Sequence, residues 1–137
     1  MACLLSETVS ATSTFVVPID LEKQAQDMDV LCAQAAPDRK FGYLALFTRW
    51  KQRLGPYYAR YQQLLYDVPV QDLPESERAA KLQVMITQVE AYSAEQMQAL
   101  QKDRREAREV CEMMSEMIAA PENDKALKRF VEETEMR

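Results

Sequence analysis

The sequence predicts an all-α fold, and three observations predict it. Gly42 and Gly55 are the only glycines in 137 residues, too few for a sandwich, barrel or doubly wound sheet, which need turn residues about every dozen positions. Ala, Glu, Gln, Leu, Met, Lys and Arg dominate instead, the residues that lose least freedom in a helix. Apolar residues also recur three and four apart along most of the chain. At this length the chain makes one domain with a modest core.

Residues 1–17 differ from the rest. They carry one charge, Glu7, and six Ser or Thr between Ser6 and Thr14, without helical period. Such a stretch reads as a flexible arm, leaving 18–137 as a single helical domain. In composition this Ser/Thr-rich, charge-poor leader resembles the export signals of type III secretion substrates. That resemblance implies a chain that is exported.

Four helices are expected, over about 20–36, 39–67, 75–119 and 123–135. Asp20 can cap the first, with Glu22 at its positive end. Leu21, Ala25, Met28, Cys32 and Ala35 form its apolar stripe, and Pro37 ends it. The second, capped by Asp38, has the most regular pattern: Tyr43, Phe47, Trp50, Leu54, Tyr57, Tyr61, Leu64 and Val68 alternate spacings of four and three. Gly55-Pro56 interrupts it, and the unbroken phase predicts a kink there.

Pro69 and Pro74 bracket a linker, after which Asp72 or Ser76 can cap a third helix. No Gly or Pro falls in the 45 residues from Glu75 to Ala119. One coiled-coil-like helix of that length would span ~67 Å, against a radius of gyration near ~14 Å for a domain of this size. It must project, bend or break. Its apolar track thins over Gln101 to Glu109, where nearly every residue is charged. Pro121 ends it, and Asn123 can cap a last short helix carrying Leu127, Phe130 and Val131. The second and third helices, joined by a short linker, should pair as an antiparallel hairpin in an elongated bundle.

The charge is unevenly spread: residues 1–37 carry −4, residues 38–70 carry +4 and residues 71–137 carry −5. This favours attraction between helices and disfavours nucleic acid as a partner, since phosphate binding needs a net basic surface. Cys3, Cys32 and Cys111 are far apart and odd in number, so reduced thiols in a cytoplasmic setting are expected. No apolar run approaches the ~20 residues of a membrane span, so membrane insertion is not expected.

The chain has no histidine, the commonest general base and metal ligand. Two isolated glycines cannot build a phosphate-cradling loop. Glu106, Glu109, Glu112 and Glu116 share one side of a helix with Arg104, Arg105 and Arg108 and read as a solvated charged face. No enzymatic activity, cofactor, metal or small-molecule substrate is therefore expected.

What remains is a protein-interaction module: an adaptor, a small chaperone or a subunit of a larger assembly, binding a protein partner or a second copy through helix faces. The expected face is the Met-tipped stripe of the third helix, Met97, Leu100, Val110, Met113, Met114, Met117 and Ile118, because methionine-rich faces suit adaptable grooves. Tyr58 is a further expected anchor. The alternative, which the leader suggests, is an exported effector or structural component of a secretion system.

Overall fold

The structure, a computed structural model, describes residues 16–40 and 42–136. These residues form six α-helices and one 3-10 turn, with no strand among them. The helices are α1 (Leu21–Ala35), α2 (Tyr43–Leu54), α3 (Pro56–Asp67), α4 (Glu75–Lys102), α5 (Arg104–Ala119) and α6 (Pro121–Glu135); the turn is Val68–Val70. Residues 1–15 of the expected arm lie outside the described residues. Val16 and Val17 are half-buried, and Val16 packs against the core.

α1 starts where the sequence predicts, with the Asp20 carboxylate accepting the Lys23 N–H at 3.2 Å. Its entry is fixed from outside by Gln62 on α3. That side chain accepts the Leu21 N–H at 2.9 Å and donates to the Ile19 carbonyl at 2.7 Å.

Two expected helices are each divided in two, so the count is six and not four. The first division falls at Gly55, whose φ of 56° and ψ of −130° stop α2 outright rather than kinking it. Pro56 then opens α3 at its first position, where its missing N–H costs nothing. This turn also shifts the buried face. Tyr43, Phe47 and Leu54 are buried before it, but Tyr58, Tyr61 and Leu65 continue toward the core in place of Tyr57 and Leu64.

The second division falls at Asp103, in extended conformation, whose side chain accepts the Glu106 N–H at 3.1 Å. The continuous coiled-coil-like helix over 75–119 is therefore replaced by α4 and α5. The expected antiparallel hairpin is absent as well. α4 packs against α1, α5 and the 3-10 turn, while α3 packs against α6.

Three expected caps are replaced. Pro74, and neither Asp72 nor Ser76, stands at the N-cap of α4, with no side-chain cap bond. Asp38 does not start a helix but grips Arg108 on α5 through two bonds of 2.9 Å. α6 begins at Pro121, and Asn123 donates back to the Met117 carbonyl at 2.8 Å.

The core lies between α1 and α5 and is completed by α2 and α3. Leu21, Ala25, Met28 and Leu31 of α1 meet Tyr43, Phe47, Leu65, Ala107 and Cys111. The expectation of reduced thiols is corrected here. Cys32 and Cys111 form a disulfide, with Cα atoms 5.4 Å apart across 79 residues of sequence. Both stripes point inward at the closest approach of α1 and α5, which sequence spacing alone cannot reveal. No helix among the described residues is long and apolar enough to cross a membrane.

Candidate functional site

α4 is the element that the fold leaves least covered. At 28 residues it runs about 42 Å, yet none of its residues is buried. Leu82, Met85, Ile86, Val89, Met97 and Leu100 are half-buried, a stripe of helical period along one side. Val84 and Tyr92 stand 49% and 65% exposed. The helix is held at its start by Arg78, which donates to the Leu73 carbonyl at 2.9 Å and the Gln71 carbonyl at 3.2 Å.

Between this stripe, the first half of α1 with the residues before it, and the middle of α5 lies a cleft of about 250 Å³. Ile19 and Met28 form one wall, Ile86, Val89, Met97 and Leu100 a second, and Val110 and Met114 its floor. Asp20, Lys23, Asp27 and Glu90 supply a charged edge. An apolar trough with a charged border is the form that takes an amphipathic helix.

A second cleft, of about 480 Å³, opens on the other side of Met114. Phe47, Trp50, Tyr61, Met117, Ile118 and Phe130 line it, with Val16 at its edge. Burial pushes the phenols of Tyr43 and Tyr61, both on this cleft, above their ordinary value of 10.

The sequence-predicted residues thus divide. Met97, Leu100, Val110 and Met114 come together in the first cleft, and Met114, Met117 and Ile118 in the second. Met113 lines neither and is 51% exposed. Tyr58 also lines neither. Its ring packs edge-on against Phe47 and Trp50, and its hydroxyl donates to Glu22 at 3.0 Å. Burial and the Glu22 carboxylate raise its pKa well above the tyrosine range.

The sequence expectation omitted Ile19, Met28, Ile86 and Val89 from the interaction face. Ile86 and Val89 carried a usable signal, since they continue the period that ends in Met97 and Leu100. Ile19 carried none, because it precedes the helix and reaches the cleft only through the Gln62 clamp.

The carboxylates of α5 pair locally: Arg105 with Glu109 at 3.5 Å and Arg108 with Glu112 at 3.3 Å. Among the described residues no three His, Cys, Asp or Glu side chains are grouped to hold a metal. No family model matches the chain, and no curated protein or solved structure is significantly similar to it.

Proposed function

We propose that the protein is a non-enzymatic interaction module whose α1–α4–α5 cleft receives an amphipathic helix of a protein partner. One observation carries this reading: a 28-residue helix with an apolar stripe and no buried residue. A helix gains most of its stability by burying such a stripe, and here the chain's own core buries it only in part. Met28, Met97 and Met114 give the cleft an adaptable lining. An adaptor, a small chaperone and an assembly subunit all use such a face.

Site-specific crosslinking in the native host tests this. A photoreactive residue at Tyr92, on the cleft, is expected to form a discrete heavier adduct, and one at the exposed Glu133 on α6 is not. Equal labelling at both positions, or none at Tyr92, overturns the reading. Light scattering on the purified chain then separates a second copy from a different partner.

A second reading, an exported effector or secretion-system component, is favoured by the Cys32–Cys111 disulfide, since such bonds persist in oxidising compartments. Deleting residues 1–17 is then expected to abolish export and leave the helical circular dichroism unchanged. Export that survives the deletion removes this reading.

A further inference from the structure

The two sulfurs of the Cys32–Cys111 disulfide have different surroundings. Both cysteines are buried, Cys32 at 2% and Cys111 at 0% exposure, and the Cys111 Sγ accepts an N–H of the Arg39 guanidinium at 3.2 Å. Cys32 forms part of the wall of a small cavity of about 250 Å³, together with Asp29, Ala33, Pro37 and Arg39. One cysteine therefore contributes to the wall of a cavity, and the sulfur of the other meets a cation. Arg108, one turn before Cys111 on α5, is already held by Asp38 and Glu112.

Such an asymmetry directs thiol–disulfide exchange to one of the two sulfurs. The attacking thiolate must reach one sulfur, and the other must leave as a thiolate, which it does faster when its charge is stabilised. We propose that Cys32–Cys111 is an exchange site for a low-molecular-weight thiol, attacked at Cys32 through the cavity, with Cys111 as leaving group and Arg39 as the residue that stabilises it.

In the first step the incoming thiolate forms a sulfur–sulfur bond to Cys32. The Cys32–Cys111 bond breaks, and its electron pair leaves on Cys111 Sγ, which the Arg39 N–H already contacts. A second thiolate then attacks the mixed disulfide at the sulfur of the first small molecule and frees Cys32. Two small thiols are oxidised to one disulfide, and the protein disulfide is reduced to two thiols. The outcome is the loss of the covalent tie between α1 and α5, the two helices that flank the proposed partner cleft. The chemistry itself does not depend on that cleft's function.

The full oxidised chain is incubated with reduced glutathione, quenched with an alkylating agent and mapped by peptide mass spectrometry. The glutathione adduct is expected on Cys32 and the alkyl group on Cys111. Arg39→Met slows formation of the adduct about tenfold because the leaving thiolate loses its cation, while Arg39→Lys stays close to the native rate. Ala33→Trp, at an exposed position on the cavity wall, slows it by closing the approach. An adduct on Cys111, equal rates for the native chain and Arg39→Met, or exchange only at the rate of global unfolding in urea overturns the proposal. Should Arg39→Met not fold, the adduct position in the native chain and the Ala33→Trp rate decide the matter.

Discussion

Asp29 on α1 accepts the Leu44 backbone N–H of α2 on Oδ1 at 3.1 Å. α2 has no cap of its own, because its N-cap residue, Gly42, lacks a side chain. The preceding helix thus supplies both the missing acceptor and a negative charge at the positive end of α2. Asp29→Ala is expected to cost about 1 kcal/mol, read as a lower urea midpoint at unchanged slope. A Cβ at Gly42 would lie 3.0 Å from the same Oδ1, so Gly42→Ala displaces the cap that Asp29→Ala deletes. The double variant should lose less than the sum of the two single losses.

Gly55 separates backbone strain from packing. Its φ of 56° lies where L side chains rarely go, and a Cβ built there meets nothing within 4 Å. Gly55→Ala should therefore cost about 1–3 kcal/mol from backbone conformation alone. A chain of unchanged stability would mean that α2 and α3 join with little strain in a different conformation.

Gly55 also shows where sequence reading stops. The stripe through Tyr57 and Leu64 looked continuous because the chain has the doublets Tyr57-Tyr58 and Leu64-Leu65, which fit either phase. The positive φ selects the second phase, and periodicity cannot report a φ. The break at Asp103 was more legible, since an Asp three residues before a Glu is a helix-start pattern, though here it lay within an otherwise unbroken charged run. Asp20 and the buried Tyr43, Phe47 and Leu54 were read correctly because they depend only on local spacing and capping. The Cys32–Cys111 bond depends on how α1 meets α5, a tertiary fact with no local trace.

That bond should dominate the stability of the chain. Closing 79 residues of sequence removes chain entropy from the unfolded state worth about 4 kcal/mol. The Cys32→Ala/Cys111→Ala double variant is expected to unfold at a much lower urea concentration than the oxidised native chain. Reduced native protein should unfold near the variant's midpoint. Identical midpoints with and without reductant would show that the bond contributes nothing.

Acid should weaken the contact between α1 and the α2–α3 pair. The Lys51 ammonium, 2.5 Å from Glu22, holds that carboxyl below its ordinary value of 4.5; slight desolvation of this exposed group works against this, and the Tyr58 hydroxyl adds to the lowering. Since the folded value lies below the unfolded one, the contribution is present above pH 4.5 and is lost as pH falls through the folded value. Arg108 acts on Asp38 in the same direction. The stability difference between the native chain and Glu22→Gln should thus shrink between neutral pH and acid, as followed by urea midpoints. A difference that stays constant with pH would remove Glu22 from the acid response.

α4 should be the least protected helix of the fold. Its amides depend on its own hydrogen bonds and on half-buried contacts, because no residue along it is buried. Local opening of such a segment takes less free energy than global unfolding. Amides over residues 78–90 are accordingly expected to exchange faster than those of α1 and α5 in native-state hydrogen exchange. Ile86→Asp should cost less than about 1 kcal/mol, whereas Leu31→Ala, at a position 1% exposed, should cost about 2–5 kcal/mol. A partner helix in the cleft would raise protection in that same stretch, and Ile86→Asp would abolish the rise without unfolding the chain. Protection over 78–90 equal to that of α1 in the isolated chain would place α4 in the cooperative core, leaving no helix face to spare.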